Sequence, residues 1–395
     1  MKAKRGAAML CAACLIWTGA ASLPAPAAVC AAEEEAAPVF EGLRYEITDG
    51  AVTITGVTED LEGEVTVPAE IENLPVTKIG AGAFQFNTAI TAVTLPESVT
   101  EIGAAAFKSC FVLKTVTLPS GLTEIADNTF LKSRKLESIA VPEHVKHIGE
   151  MAFANCDSLA DLTLPEGLET VGADAFLYTP WMYAQREKNP FVVINHVLID
   201  GKACSGDITL PSDITVIGEG AFAYNHDIIN VLIPETVKEI RAYGIFDCNR
   251  LESVTILNPD CEIYDMKATI SNNYARHEPF MLGTIRGFEN ATAQAYCEKY
   301  EYPYEVLKAV KGDLDLNGKV SAEDAQSALN YYVKSIAGKN PELNDLQKEG
   351  ADVNGDGAID SADAQLILLY YVKNTIANHP TTWEALTAEN GAESE

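Results

Sequence analysis

The chain has 395 residues and carries 57 acidic against 28 basic side chains, a formal net charge of −29. An acidic excess of this size repels a phosphate backbone, so the composition argues against a nucleic-acid-binding protein. With 47% hydrophobic and 22% charged residues, the chain is neither disordered nor collagen-like in composition. Its length is sufficient for two or three domains of ordinary size.

The first 32 residues have the order of a secretory signal peptide. Basic residues at Lys2, Lys4 and Arg5 precede an apolar run from Ala7 to Ile16, and mostly small residues follow up to Ala32. The apolar run is too short to span a bilayer, and no later segment reaches 18 uninterrupted apolar residues. We therefore expect a secreted, extracellular protein without membrane insertion.

Cysteine usage indicates neither a disulfide framework nor a thiolate metal site. Six cysteines follow the predicted signal, and they are Cys110, Cys156, Cys204, Cys248, Cys261 and Cys297. They are too sparse for a small disulfide-rich scaffold, and no pair among them has the C-x-x-C spacing of zinc or thioredoxin-like sites.

The central part of the chain repeats every 23 residues in three independent columns. The columns are Phe84, Phe107, Phe130, Phe153 and Phe176, then Phe222 two periods on; Ile79, Ile102, Ile125, Ile148 and Val171, then Ile217 and Ile240; and Pro96, Pro119, Pro142 and Pro165, then Pro211 and Pro234. A fixed period of this length predicts a solenoid, because one unit cannot bury its phenylalanine without a stacked neighbour.

Each unit predicts one short strand and one turn. The apolar run before each proline, such as Val116-Thr117-Leu118, alternates like a strand, and the proline then ends the hydrogen-bonded ladder. The following Ile102-Gly103 and Ala106-Phe107 pairs are typical of a tight turn and a short helical arc.

These residues resemble the BspA-like, or treponemal-type, leucine-rich repeats of bacterial surface proteins. The match is Leu95-Pro96, Ile102-Gly103, Ala106-Phe107, Cys110 and Leu113 in one unit, and it extends over about residues 76–257. The resemblance implies a β-rich leucine-rich-repeat solenoid with an N-terminal cap over residues 38–75 and a C-terminal cap over residues 258–307. It also implies adhesion or protein binding.

The repeat pattern is irregular between Tyr178 and Lys202, where Ile199 stands at the place of the missing phenylalanine. Aromatic residues gather in this segment, and Tyr178, Trp181 and Tyr183 are candidate ligand contacts of the repeats. The alternative is that they only cover an irregular edge of the solenoid.

The C-terminal region contains two loops with the spacing of calcium-binding loops. Places 1, 3, 5, 7, 9 and 12 are Asp313, Asp315, Asn317, Lys319, Ser321 and Asp324 in the first loop, and Asp352, Asn354, Asp356, Ala358, Asp360 and Asp363 in the second. Calcium takes six to eight oxygen ligands, and place 7 supplies a backbone carbonyl. We expect two structural calcium ions, without which the clustered carboxylates would loosen the fold.

Two features separate these loops from a calmodulin-like sensor. Place 12 is Asp in both loops instead of Glu, and no regular helix is expected before either loop. The motif Tyr331-Tyr332-Val333-Lys334 recurs 39 residues later as Tyr370-Tyr371-Val372-Lys373. This duplicated pattern over residues 308–380 resembles a type I dockerin, a small all-α calcium-binding module that docks extracellular proteins onto the cohesin modules of a cellulosomal scaffold.

The resemblance implies cohesin contacts at loop places 10 and 11 and on the following helix. Carried over to this chain, they are Ala322, Glu323, Leu329, Asn330 and Lys334, and Ser361, Ala362, Leu368, Leu369 and Lys373. The Ser-Thr pair usual at places 10 and 11 is absent from both loops, which leaves the partner's identity open.

The second helix is apolar on more than one face, because Leu366 and Leu369 stand where the first copy has Ser327 and Asn330. Our hypothesis makes Leu366 and Leu369 anchors of the docking interface. The alternative is that the preceding repeats or the segment around Trp383 cover this face. Residues 381–395 are expected to form a flexible acidic tail.

The sequence does not predict an enzyme. Repeats and caps occupy residues 38–307, which leaves no room for a catalytic domain of ~200 residues, and neither an HExxH nor a GxSxG motif is present. We predict a non-catalytic protein whose repeats bind a protein or polysaccharide. The alternative is a passive spacer or structural subunit of the scaffold.

Overall fold

A computed structural model describes residues 37–275, 278–339 and 343–391. The predicted signal peptide lies outside these residues. Within the described ranges, no helix is both long and apolar enough to cross a membrane.

Most of the described chain forms very short strands, and helices are few until the C-terminal region. The helices are α1 (Pro180–Lys188), α2 (Thr292–Tyr300), α3 (Ala322–Ile336), α4 (Asp345–Ala351), α5 (Ser361–Tyr371), which a π-helical turn over Val372–Ile376 continues, and α6 (Trp383–Gly391). The strands of the N-terminal cap are Val39–Phe40, Leu43–Thr48, Ala51–Val57, Gly63–Thr66, Glu70–Ile71 and Leu74–Ile79.

The coils of the solenoid form two columns of short parallel strands, here called ladders, and hydrogen-bonded pairing divides each ladder into several shorter sheets. The first ladder contains Glu101–Ile102, Glu124–Ile125, His147–Ile148, Thr170–Val171, Val216–Ile217, Glu239–Ile240 and Glu262–Ile263. The second ladder contains Ile90–Thr94, Thr115–Thr117, Ser138–Ala140, Asp161–Thr163, Gly206–Thr209, Ile228–Ile233, Ser253–Ile256, Thr284–Gly287 and Tyr304–Val306. Two hairpins complete the strands, Val192–Ile194 with Val197–Asp200 and Asn273–Ala275 with Glu278–Phe280.

The register of both ladders equals one sequence period. Ile125 pairs with Ile148 in the first ladder, and Ile139 pairs with Leu162 in the second. The predicted leucine-rich-repeat solenoid with a 23-residue period is therefore confirmed.

The third side of each coil consists of turns, although the sequence also allowed a short helical arc. Ala105 and Ser109 both have φ of 58°, and a left-handed residue at every fourth position interrupts any helix. Some backbone amides on this side donate to the next coil, as Phe107 N does to Thr129 O at 2.8 Å. Others donate within a local turn, as Cys110 N does to Phe107 O at 3.4 Å.

The phenylalanine column forms a continuous stack inside the first five repeats. Ring centroids from Phe84 to Phe176 are 4.9, 5.3, 5.3 and 5.7 Å apart, and all five rings are fully buried. A column of small donors lies beside them, where Cys156 Sγ donates to Phe130 O at 3.1 Å and Ser133 Oγ donates to Phe107 O at 2.7 Å. All six cysteines after the predicted signal are buried free thiols.

Helix α1 lies where the repeat pattern is irregular, and the core divides there. Trp181 closes the phenylalanine stack at 4.9 Å from Phe176, and Phe222 lies in a second core cluster with its ring against Gly201. Arg186 of α1 makes a bidentate pair with Asp200, at 2.9 Å from Nε and 2.7 Å from Nη2. Ile199, the expected substitute for phenylalanine, packs half-buried against the first cluster.

Candidate metal centre and docking surface

The first acidic loop gathers three carboxylates from places 1, 3 and 12. Oxygens of Asp313, Asp315 and Asp324 lie within 4.8 Å of one another, a spacing that one cation could bridge. The Asp313 carboxylate accepts from Asn317 N at 3.1 Å and Gly318 N at 2.8 Å, so the loop wraps around it.

The second loop has the same backbone arrangement. The Asp352 carboxylate accepts from Asp356 N at 3.2 Å and Gly357 N at 3.0 Å, as Asp313 does in the first loop. Its carboxylates do not form a comparably close trio, and among the described residues only the first loop does. The two loops therefore share a fold, and the first has the tighter acidic cluster.

The aspartates at place 12 fasten each loop to its helix. Asp324 Oδ1 accepts from Leu314 N at 2.7 Å, and its Oδ2 accepts from Ser321 N at 2.8 Å as part of the capping box that begins α3. Asp363 makes the equivalent bonds to Val353 N at 2.9 Å and Asp360 N at 3.0 Å before α5. Both carboxylates are fully buried, so each one closes its loop and starts its helix.

Burial makes negative charge costly in the first loop. Desolvation, then the charge of Asp324, raises the pKa of Asp315 to about 7, and desolvation also raises the pKa of Asp313. A bound cation would remove this penalty. Three clustered carboxylates, two of them buried, fit a hard cation such as calcium, which the residues expected from the sequence of the two loops would hold.

Place 4 distinguishes the two loops. Leu316 and Gly355 both have positive φ, 59° and 77°, and a side chain at Gly355 would meet nothing within 4 Å. A leucine in the left-handed region costs ~1–2 kcal/mol. Leu316 is only 4% exposed, and burying a leucine contributes ~1.5–3 kcal/mol. The contacts of Leu316 therefore offset its strained backbone.

The buried core of the dockerin module repeats with the 39-residue period of the sequence. Leu314 and Val353 are buried at equivalent places, as are Ala325 and Ala364. Helices α3 and α5 pack against each other around this core. One expectation was wrong: a short helix, α4, does precede the second loop, and the Asn344–Gln347 capping box starts it.

The hypothesis that Leu366 is an exposed anchor was wrong. Leu366 is 5% exposed and lies in the module core together with Leu386 of α6. Trp383 stacks on Tyr370 with ring centroids 4.0 Å apart and an interplanar angle of 6°. The alternative named above therefore holds, because the segment around Trp383 covers this face. Residues 383–391 are helical, so the expected flexible tail was also wrong for this part.

The remaining carried-over contact residues lie mostly at the surface. Exposed are Ala322, Glu323, Leu329, Asn330, Lys334, Ser361, Ala362 and Leu368, whereas Leu369 and Lys373 are half-buried. Leu369 packs partly against the module core.

Exposed apolar residues lie along α3 and at the equivalent places of α5 and the π-helical turn that continues it. Leu329 and Val333 are 38% and 51% exposed on α3, and their equivalents Leu368 and Val372 are 45% and 38% exposed. We name these four residues the paired stripe. Sequence reasoning missed Val333 and Val372, although their i, i+4 spacing from the two leucines was a usable signal.

The three aromatic residues proposed as repeat contacts have different environments. Trp181 is half-buried and packs on Phe176 at the end of the phenylalanine stack, as expected if it covers an irregular edge. Tyr183 is 46% exposed beside Arg186, whose Cζ lies 5.9 Å from the ring centroid. Tyr178 is 54% exposed at a left-handed turn with φ of 60°.

Comparisons with known proteins assign both parts of the chain. The family model described as BspA type Leucine rich repeat region matches residues 77–188 and 202–272 in six copies. The Dockerin type I domain model matches residues 311–370. No curated protein matches the chain.

Similar solved structures include three bacterial proteins. A leucine-rich repeat protein of T. pallidum is 20% identical, with 68% of this chain and 98% of that chain covered and a TM-score of 0.35. A leucine-rich cell surface protein of Faecalibacterium prausnitzii is 18% identical, with 68% and 94% covered and a TM-score of 0.33. A leucine-rich repeat protein of Bacteroides capillosus is 31% identical, with 37% and 94% covered and a TM-score of 0.26.

The 23-residue coils, the duplicated acidic loops and the two family models agree. The chain is a BspA-type leucine-rich repeat protein with a C-terminal type I dockerin domain.

Proposed function

We propose that this protein is secreted, attaches to a cohesin module of a cellulosome-type scaffold through its calcium-loaded dockerin, and presents its repeats to a protein or polysaccharide. The dockerin domain type implies cohesin docking, and the repeats suggest a binding surface. Neither domain type is catalytic, which supports a role in attachment and recognition rather than in chemistry.

The paired stripe is the observation that carries the docking proposal. Isolated exposed leucines are common on protein surfaces, but here two symmetry-related leucines and two valines are exposed on adjacent helices. Both helices start at a calcium loop, so loop geometry determines where the stripe lies. A cohesin surface with apolar positions at its centre and polar positions at its rim would fit it.

The docking test uses the full chain and purified cohesin modules of the source bacterium's scaffold proteins. Titrations in calcium and in chelator should show binding in calcium only. The double variant Val333→Asp with Val372→Asp should weaken binding at least tenfold, because it puts a charge into the apolar centre of both half-surfaces. Ala385→Asp, an exposed alanine on α6, is the matched control and should bind like the parent protein.

Two results would contradict the docking proposal. If none of the cohesin modules binds the protein in calcium, cohesins are not its partners. Unchanged binding by the double valine variant would place the interface elsewhere on the module.

For the repeats, we propose that the ligand face is the left-handed turn column. Phe86, Tyr178 and Tyr224 stand in one 23-residue column, have φ near 60°, and are 63%, 54% and 59% exposed. Other coils place Lys132, Asn155 and the buried Ser109 there with the same backbone conformation. The coil therefore determines the backbone at this place but not the side chain, so the side chain can vary between coils as a recognition surface requires.

The repeat proposal is tested by screening soluble plant and bacterial polysaccharides and surface proteins against the full chain. Ligands retained by the parent protein should be lost by the triple variant Phe86→Ser, Tyr178→Ser and Tyr224→Ser. A triple variant of exposed tyrosines outside the column, Tyr183→Ser, Tyr243→Ser and Tyr264→Ser, is the control. Equal retention by both variants would place the ligand face elsewhere on the repeats, and a parent protein that retains no ligand would favour the passive spacer.

A further inference from the structure

The dockerin packs against the repeats through a cluster of three buried apolar residues. Leu316 of the first calcium loop is buried in one cluster with Leu232 and Leu257 of the repeats. Phe288 and Leu307 of the C-terminal cap and Leu346 of α4 pack partly buried around them. The cluster thus joins the loop, α4, the cap and the second ladder.

Leu232 departs from its own repeat column. Backbone register aligns it with Thr209 in the preceding coil and with Thr255 in the next one. The equivalent residues in the coils before α1 are Thr94, Thr117, Ala140 and Thr163, and all of them are exposed. Leu232 is 7% and Thr255 is 4% exposed. In this column Leu232 and Thr255 are therefore buried, whereas Thr209 and the residues of the earlier coils are exposed.

Leu257 and Leu316 depart from their internal repeats at the same contact. Leu257 stands where other coils have the proline of the Pro96 column, and Leu316 stands where the second loop has Gly355. Three residues that break two separate sequence repeats, at three different positions, thus meet in one buried cluster. Independent accidents would not be expected to coincide at one point in space.

Polar contacts flank this apolar cluster. Lys319 Nζ of the first loop donates to Asp207 Oδ2 at 2.7 Å, and Asn344 Nδ2, at the start of α4, donates to Glu235 Oε1 at 3.0 Å. The equivalent of Lys319 in the second loop is Ala358, which has no such side chain. These solvent-exposed contacts orient the module more than they stabilise it.

We propose that the first calcium loop attaches the dockerin to its own solenoid, a contact that we call the clasp. Calcium binding in this loop and packing of the dockerin against the repeats then strengthen each other. Leu316 lies between Asp315 and Asn317, which are both candidate ligands. Any change in how the loop closes therefore moves the leucine that occupies the solenoid contact. The second loop, with Gly355 at this place, is outside the coupling.

The clasp leaves the docking surface available. The paired stripe on α3 and α5 is exposed, whereas Leu316 is covered. The scaffold partner and the solenoid thus use different sides of one module, and the repeats are held at a set angle to the scaffold. This inference rests on calcium binding by the first loop, which belongs to the proposed function, but not on cohesin docking.

The decisive variant is Leu232→Thr in the full chain, because it restores the residue of neighbouring coils and leaves the loop unchanged. Spin labels at Ser212→Cys and Ala388→Cys report the distance between solenoid and module, and the six native thiols after the predicted signal are buried. Calcium titration is done with Asp352→Asn and Asp356→Asn present, so that the first loop is observed alone. Ile47→Thr, a 43% exposed strand residue of the N-terminal cap, is the matched control.

The parent protein should give a narrow distance distribution in calcium and a broad one in chelator. Leu232→Thr should broaden the distribution in calcium and lower the calcium affinity of the first loop at least fivefold, because coupling between two sites is reciprocal. Leu316→Gly should broaden the distribution likewise, and Ile47→Thr should change neither readout.

Two outcomes would overturn the clasp. Unchanged calcium affinity together with a narrow distribution in Leu232→Thr would show that the solenoid contact does not act on the loop. A first loop that takes up no calcium in the parent protein would overturn both the clasp and the calcium requirement. Loss of cohesin binding alone would contradict only the docking proposal.

Discussion

Trp383 lies flat on Tyr370, with ring centroids 4.0 Å apart and the planes within 6° of parallel. Tyr370 comes from the second repeated helix and Trp383 from the start of α6, so this contact attaches the C-terminal helix to the module. The indole also lies against Gly312, where any side chain would meet it at 2.6 Å. One aromatic residue therefore joins the beginning and the end of the module.

We predict that Trp383→Ala destabilises the dockerin by ~3 kcal/mol, because a large aromatic contact is lost and Leu386 loses its cover. Thermal unfolding in calcium, followed by near-ultraviolet circular dichroism, measures the change. Ala388→Ser, on an exposed position of α6, should leave the transition unchanged. An unchanged transition in Trp383→Ala would mean that α6 is not part of the folded module.

Arg186→Ala should destabilise the solenoid by ~3 kcal/mol. Its partner Asp200 is only 6% exposed in its side chain and would remain as a buried charge without the guanidinium. Arg134→Ala is a matched control, because Arg134 and its partner Asp157 are 59% and 53% exposed. Its loss should cost less than about 1 kcal/mol in chemical denaturation. Equal effects of the two variants would contradict the role of the buried pair.

The column of small donors predicts different outcomes for two substitutions of Cys156. Cys156→Ser should be tolerated within about 1 kcal/mol, because Ser133 already donates to the equivalent carbonyl of Phe107. Cys156→Val should cost ~0.5–1.5 kcal/mol, because the carbonyl of Phe130 would lose its thiol donor and keep only Ser133 N, at 2.9 Å. Urea unfolding of both variants checks this. A valine variant as stable as the serine variant would show that the hydrogen bond is dispensable.

Glu219 should make the protein less stable as the pH rises. Burial raises the pKa of Glu219, and the charges of Glu150 and Asp127 raise it further. The folded state therefore holds this proton more tightly than the unfolded state, and stability is lost as the pH rises through the raised pKa. Glu219→Gln should raise the Tm at pH 7 by on the order of a degree and reduce its pH dependence. Glu143→Gln, an exposed acid on the same solenoid, is the control, and an equal rise there would contradict the assignment.

Local and periodic features of the chain were predictable from sequence. The Phe84 column and the spacing from Asp313 to Asp324 each repeat a pattern whose physical meaning does not depend on distant segments. The solenoid, its phase and the loop positions followed from them. The left-handed turns could not be predicted, because alanine and serine rarely adopt a positive φ and Ala105 and Ser109 therefore give no signal in the sequence.

Contacts between segments with different repeats were not predictable in the same way. Leu366 has the same apolar character whether it faces a partner or Leu386, and only the position of α6 decides between them. Leu232 carried a signal, since it is a leucine in a threonine column, but nothing local indicates that Leu316 would meet it. Sequence patterns therefore identified the two domains but not the contact that joins them.

The division of the solenoid core at α1 has a consequence for folding cooperativity. Residues from Leu43 to Val192 form one buried cluster, and those from Leu198 to Tyr302 form another. In a repeat protein, stability is carried by contacts between neighbours, so we expect a division of the apolar core, bridged by the Arg186–Asp200 pair, to separate two cooperative units. The second unit carries the contact with Leu316, and bound calcium should raise its melting transition while the first unit melts at a temperature independent of the ion.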